Sequence, residues 1–361
     1  MNNLKKLGLT ALAGSLVAVN ANAGEMSVSG AFNATYVSAD GSTGTVATDH
    51  GIGLGNDKDF GVSGSGELDN GWTFAGNTAL KEASGFDISS SNLSLTMGSM
   101  GTVSTGSATG GASTKYDQQT PTAYEEIDDF GGTTLSANLV GSRLDNNSLI
   151  YNSPSFDLMG MTASVDVEYS PEASGTSPND GGVQESTEFN TAMSLGVTVS
   201  GGGLKVGVYG AETDNDGPQA RDTDAFEGVW YATYAMGPVS IGFSQSYHDG
   251  GQFVTSETVG AAKVVNTAGG LFETEMYSIA FNVNDNMSIS YGKATDTYDA
   301  QSNNSSGTET LDVEMDMKSL QAAYTMGSMS VKAQRTETDN VKYDSNGGSL
   351  TKTEIALGLA F

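Results

Sequence analysis

The chain of 361 residues has no cysteine. That removes disulfides and thiolate metal ligands, so an exported protein of this sequence gains no covalent staples. Histidine is nearly absent: His50 sits in a Gly/Asp stretch and His248 at a strand end before Asp249-Gly250-Gly251. Both are expected to be surface loop residues, with no metal centre. Basic residues are scarce, 15 against 43 acidic for a formal charge of −28, and they form no cluster. Nucleic-acid binding by the usual electrostatic route is thereby excluded, because phosphate neutralisation needs grouped Lys and Arg. Long hydrophobic runs are missing too: no later stretch approaches the roughly 18 apolar residues of a helical span. No serine lies in Gly-x-Ser-x-Gly with a histidine to partner it; Gly64-Ser65-Gly66 reads as strand. The chain is therefore expected not to be an enzyme. A secreted or surface β-helix would need a fixed repeat, and the spacing here alternates short and long instead.

What is present begins with an export signature. Asn2-Asn3-Leu4-Lys5-Lys6 is a basic segment, Leu7 to Val19 is apolar, and Ala21-Asn22-Ala23 is a small-x-small cleavage site. Residues 1–23 are expected to be a cleaved signal peptide, since thirteen apolar residues are too few for a helical span. The remaining 24–361 form a single domain with 13 basic and 43 acidic residues, a balance of −30. At the other end, Ile355, Leu357, Leu359 and Phe361 alternate with Glu354, Ala356, Gly358 and Ala360. A strand that is greasy outside, small or polar inside and closed by an aromatic suits a membrane barrel, where only alternate residues meet lipid.

Period-two alternation covers most of 24–361. Strands are predicted at 25–37, 57–67, 71–82, 87–97, 101–106, 146–154, 160–170, 187–200, 203–212, 226–236, 238–248, 273–284, 286–297, 312–326, 328–338 and 350–361. Short turns such as Gly201-Gly202-Gly203 and Met236-Gly237-Pro238 alternate with long polar connections at 38–56, 106–145, 171–185, 213–225, 249–271, 298–311 and 339–349. Short turns on one side and long loops on the other predict an all-β fold, a transmembrane antiparallel β-barrel of about 16 strands with short periplasmic turns and long extracellular loops. An even count returns the C-terminus to the side of the N-terminus. The tract 130–141 would be a seventeenth strand and is placed inside the third loop. In 312–326 the apolar phase slips from Val313, Met315 and Met317 to Leu320, Ala322, Tyr324 and Met326, which predicts a bulge near Lys318 or a later strand start.

Sixteen strands enclose a lumen too wide for side chains to fill. Asp166 and Glu168, mid-strand in 160–170, need an aqueous interior, because a charge on the lipid face is costly. The longest connection, 106–145, contains Tyr124-Glu125-Glu126-Ile127-Asp128-Asp129-Phe130-Gly131-Gly132. Its aromatics favour folding into the lumen over a solvated surface loop, and Tyr124, Phe130 and Tyr116 could stack on sugars in a substrate-specific channel. Lys81 points inward by parity, Lys58 has no clear facing, and Arg143 leaves the loop. Much of the acidic surplus could instead lie on outer loops such as Glu212-Thr213-Asp214-Asn215-Asp216. There it would stay hydrated or hold Ca²⁺ weakly, and no cofactor is expected.

The order of three motifs carries a resemblance. Phe60-Gly61-Val62-Ser63-Gly64-Ser65-Gly66-Glu67-Leu68-Asp69-Asn70-Gly71-Trp72-Thr73-Phe74 is followed by Met100-Gly101-Thr102-Val103-Ser104-Thr105-Gly106 and by Ile150-Tyr151-Asn152-Ser153-Pro154-Ser155-Phe156. With the signal peptide and terminal Phe361, the chain resembles the general diffusion porins of Gram-negative bacteria, the sixteen-stranded trimeric type. The resemblance implies an outer-membrane pore for passive diffusion of small hydrophilic solutes. It implies a third loop folded inward as a constriction, with Glu125, Glu126, Asp128 and Asp129 as its acidic side. Lys81, Lys58 and Arg143 would be its basic wall, short of the family's basic cluster, so a cation preference is expected. It also implies a homotrimer, contact with outer-membrane lipid and lipopolysaccharide, and Phe361 as the signal read by the barrel-insertion machinery.

Overall fold

The computed structural model describes residues 19–21, 24–43, 47–48, 51–82, 86–107, 111–127, 139–173, 189–215, 223–251, 271–299, 312–343 and 348–361. Sixteen strands form the wall. They are β1 Gly24–Thr43, β2 Gly51–Glu67, β3 Thr73–Glu82, β4 Phe86–Thr96, β5 Thr102–Ser107, β6 Asn146–Asn152, β7 Met161–Ser170 and β8 Phe189–Gly201. Then follow β9 Leu204–Asn215, β10 Ala225–Met236, β11 Val239–Asp249, β12 Leu271–Asn284, β13 Met287–Asp299, β14 Val313–Met326, β15 Met329–Asp339 and β16 Ser349–Ala360. Each pairs antiparallel with its sequence neighbours, and β16 pairs with β1 from Leu350↔Gly41 to Ala360↔Ala31. The sheet is a closed meander with no edge, which satisfies the backbone polar groups in a medium that offers none. Short strands at Val19–Ala21, Ala47–Thr48 and Phe156–Leu158 extend β1 and β7 at their ends.

Turn chemistry sets the hairpins. Gly202 and Gly203 both have positive φ, 59° and 89°, and link β8 to β9 in a two-residue loop whose twist matches the strands. Gly237, at φ 60°, precedes Pro238 in the equally short β10–β11 turn. The first long connection is shorter than the alternation suggests, because β1 and β2 stay paired as far as Ala39↔Gly51. Gly51, Gly53 and Gly55 leave the inward face of that segment without side chains, so it carries no strand pattern to read.

The phase slip in β14 has a different origin from a bulge. Its register with β13 runs unbroken from Met287↔Tyr324 to Tyr298↔Val313. Leu320, Tyr324 and Met326 face outward and are exposed, whereas Val313, Met315 and Met317 face inward and are buried. They pack with Phe272, Met276 and Tyr298 of the wall and with Ile127 and Tyr343 of two loops. The long-loop half of the lumen thus contains a hydrophobic core, and apolar residues change face where that core replaces water on the inside. On the outward face at this height charges replace the apolar band, as in the Lys293–Asp316 pair at 2.9 Å.

The seam closes on the last residue. Phe361 donates its N–H to the Gly30 carbonyl at 3.0 Å and accepts from the Gly30 N–H at 2.9 Å. Its ring stacks on Phe32 at 5.5 Å between centroids and meets Phe60 edge-on at 6.2 Å. A Cβ on Gly30 would come within 2.6 Å of that ring, so glycine makes the seat.

Candidate functional site

The described parts of the connection between β5 and β6, 111–127 and 139–145, lie inside the barrel and are bonded to the wall at three stations. At the first, β7 supplies two buried carboxylates. Asp166 accepts hydrogen bonds from Tyr116 Oη at 2.5 Å, Lys115 Nζ at 2.6 Å and Asn152 Nδ2 at 2.6 Å. Glu168 accepts from the Ala112 N–H at 3.0 Å and Ser148 Oγ at 2.7 Å. The Tyr116 ring is fully buried, stacked on Tyr209 at 5.3 Å, and a Cβ on Gly196 of β8 would come within 2.3 Å of it.

Beyond Tyr116 the loop crosses the lumen along the inner wall. Ser278 Oγ of β12 donates to the Pro121 carbonyl at 2.6 Å, and the Ala123 N–H donates to Ser290 Oγ of β13 at 2.8 Å. Gln321 of β14 accepts from the Tyr124 N–H and donates to the Glu125 carbonyl, both at 2.8 Å. Tyr124 Oη then donates to Glu354 of β16 at 2.6 Å, while Lys332 Nζ of β15 stands 4.7 Å over the Tyr124 ring. Two more wall glycines serve as seats: Gly242 beneath Pro121 and Gly292 beneath Ile127.

The third station holds the returning limb. Glu227 of β10 accepts from the Gly141 N–H at 2.5 Å and Arg143 Nη1 at 2.9 Å, with His248 Nδ1 3.4 Å away. Val140 and Leu144 join the apolar cluster that includes Tyr116, Tyr209 and Tyr231. Length singles out the loop in the sequence, and the wall fixes its path with hydrogen-bonding side chains and with glycine seats.

Several sequence-derived roles change once these partners are seen. Asp166 and Glu168 do face inward, but they are almost fully buried and hold the loop. Arg143 is 8% exposed and bound to Glu227, so it anchors the loop and is no open-lumen cation. Tyr116 is packing, not a sugar platform. His248 is 2% exposed and packs on Phe272 at 5.9 Å, so it is no surface loop residue. Lys81 is inward: it pairs in register with Asp59 and lies 3.9 Å from Asp57. Lys58 is the register partner of Phe32, which puts it on the outward face and off the lumen wall. Glu125 and Glu126 are half-buried at the far end of the crossing. Asp128, Asp129, Phe130, most of the 130–141 tract and His50 lie outside the described residues, as does nearly all of 1–23. Among the described residues no group of three or more His, Asp or Glu is placed to hold a metal ion.

Sequence reasoning missed Glu227, Gln321 and Lys332; it placed Glu354 on the inner face, without its tie to Tyr124. Glu227 and Gln321 had a readable signal, a polar residue at an inward position of an alternating strand. Nothing local marks which loop atom each one meets.

Burial governs the ionisation at the third station. The Asp145 carboxyl is pushed up to about 6, first by burial and then by the Glu227 charge. Arg143 is lowered by burial, with Glu227 acting against it. Because Asp145 binds its proton more tightly in the folded loop, its contribution is fully present below the ordinary carboxylate value of 3.8 and is lost as pH rises through about 6. Hydrogen exchange across 139–145, corrected for intrinsic rates, is expected to be slower at about pH 5 than at about pH 7.5. Asp145→Asn should abolish that difference; a difference that survives in the variant would assign it to other groups.

Residues 8–361 match the family model described as Gram-negative porin. No curated protein matches the sequence. Among solved structures, the chain is similar to Salmonella typhi OmpF in complex with daunomycin, at 12% identity over 96% of this chain and 100% of that one, with a TM-score of 0.64. It is also similar to OmpT of Vibrio cholerae, at 14% identity over 95% and 100% with a TM-score of 0.62. A third is an anion-selective porin from Comamonas acidovorans, at 16% identity over 94% and 100% with a TM-score of 0.62. At such identities the likeness is one of fold.

Proposed function

The chain belongs to the Gram-negative porin family, proteins of the outer membrane, and we propose that it forms a water-filled, cation-preferring channel for passive diffusion of small hydrophilic solutes. The observation that carries this is the loop itself, bonded along the inner wall from β7 to β16 so that it narrows the lumen without replacing the wall. The inward positions of β1–β4 include Ser27, Ser29, Asn33, Ser63, Asn77 and Ser94, hydroxyl and amide groups that water readily hydrates. Passage needs no chemical step, and no catalytic group is assigned.

Fold does not decide ion preference, since one similar structure is an anion-selective porin. Charge does. Asp57, Asp59 and Glu354 on the wall, with Glu125 and Glu126 on the loop, face Lys81, Lys332 and Lys352; Asp128 and Asp129 add to the acidic side in the sequence. The buried Asp166 and Glu227 are paired with Lys115 and Arg143 of the loop they hold and contribute little. Under a KCl gradient in a planar bilayer, the reversal potential is expected to carry the cation sign; an anion sign overturns the preference.

A homotrimer is the proposed assembly, as one solved form of the similar Vibrio cholerae OmpT is a trimer. Phe361 is proposed as the residue read during insertion, a role that its place at the seam allows.

A further inference from the structure

The outward face carries an anomaly at the border of the apolar band. On β9 and β10, Gly210 and Gly228 are register partners, and both face the membrane. Nothing in the backbone requires glycine there, since neither has a positive φ. Nor does crowding: a Cβ would lie 3.8 Å from its nearest neighbour at Gly210 and 3.4 Å at Gly228. The inward seats, such as Gly196 beneath Tyr116, leave only 2.3 Å. Glycine within a strand weakens it, and one not needed for turning or packing marks a place where something else approaches the backbone.

The missing side chain of Gly228 opens on a groove of about 250 Å³ lined by Val208, Gly228, Trp230, Gln245, Tyr247 and Glu273, with Gly210 next to it in register. Phe226 lies beside both glycines. The Trp230 Nε1–H is satisfied by Gln245 Oε1 at 3.1 Å, so the indole offers the groove an apolar ring. Gln245 and Glu273 supply a polar rim on one side. The groove is continuous with the lipid-facing row Val208, Trp230 and Tyr234, all substantially exposed, in a protein of the outer membrane.

We propose that this groove seats one acyl chain of an outer-leaflet lipid, held between Trp230 and the Phe226/Tyr247 pair, whose rings lie 6.2 Å apart. The seat lies outside the lumen, so its test is independent of the channel reading. In a Trp72→Phe background Trp230 is the only tryptophan. The protein is reconstituted into phosphatidylcholine vesicles in which a rising share of the lipid carries dibrominated acyl chains. Trp230 quenching is expected to run ahead of the brominated share and level off early. Gly228→Leu should fill the groove, lose that early plateau and leave conductance unchanged. Quenching proportional to the brominated share in both proteins would reduce the groove to bulk lipid contact and overturn the proposal. Absence of quenching in both would overturn it too, placing another protein surface there.

Discussion

Glu227→Ala is expected to release the returning limb of the third loop and raise single-channel conductance. Glu227 is almost fully buried, and it neutralises an equally buried Arg143 while accepting the Gly141 N–H. Removing one partner of such a pair leaves the other charge without compensation, a loss of about 3–5 kcal/mol. The barrel wall keeps its own ladder on both sides of β10, so the loss falls on loop docking and the strand stays paired. Limited proteolysis should then cut within 139–145, where the wild type resists, and Glu227→Gln should fall between the two. Wild-type conductance together with a wild-type cleavage pattern would show that Glu227 does not hold the loop.

Tyr116→Ala should free the entering limb with comparable force. The ring is fully buried among Tyr209, Tyr231 and the Gly196 seat, and truncating a buried aromatic costs about 3–5 kcal/mol. The same change removes one of three donors from Asp166, leaving Lys115 and Asn152. Tyr116→Phe separates the contributions: it keeps the packing and loses one hydrogen bond to a charged group, about 1.5–3 kcal/mol. Conductance should therefore rise more in Tyr116→Ala than in Tyr116→Phe. Equal behaviour of the two variants would mean that the hydroxyl alone fixes the limb.

The fold was largely legible because alternation in a membrane barrel is enforced twice, by lipid outside and water inside. All sixteen strands overlap those that period two predicts, with β1 and β2 running on into the expected 38–56 connection, and the terminal Phe361 meets β1 as parity requires. Reading failed where one of those two solvents is missing. In β14 a loop-covered core replaces water, so Met315 and Met317 look lipid-facing and are not. In β2 the glycines at 51, 53 and 55 erase one face of the pattern. The site was legible in part. Length and acidity pointed to 106–145, and parity pointed to Asp166, Glu168 and Lys81. The roles of Asp166, Glu168 and Arg143 were not, because an inward charge reads the same whether it lines water or ties down a loop. Only contacts far apart in sequence, such as Arg143 with Glu227, distinguish the two.

An open aqueous lumen narrowed by a wall-bonded loop is what the proposed channel requires. Swelling of liposomes containing the wild-type protein, in a series of neutral sugars of increasing size, measures it directly. Uptake should fall steeply with sugar size in the wild type, and the fall should shift to larger sugars in Glu227→Ala. Absence of swelling with every sugar, or equal uptake of all sizes, would contradict it.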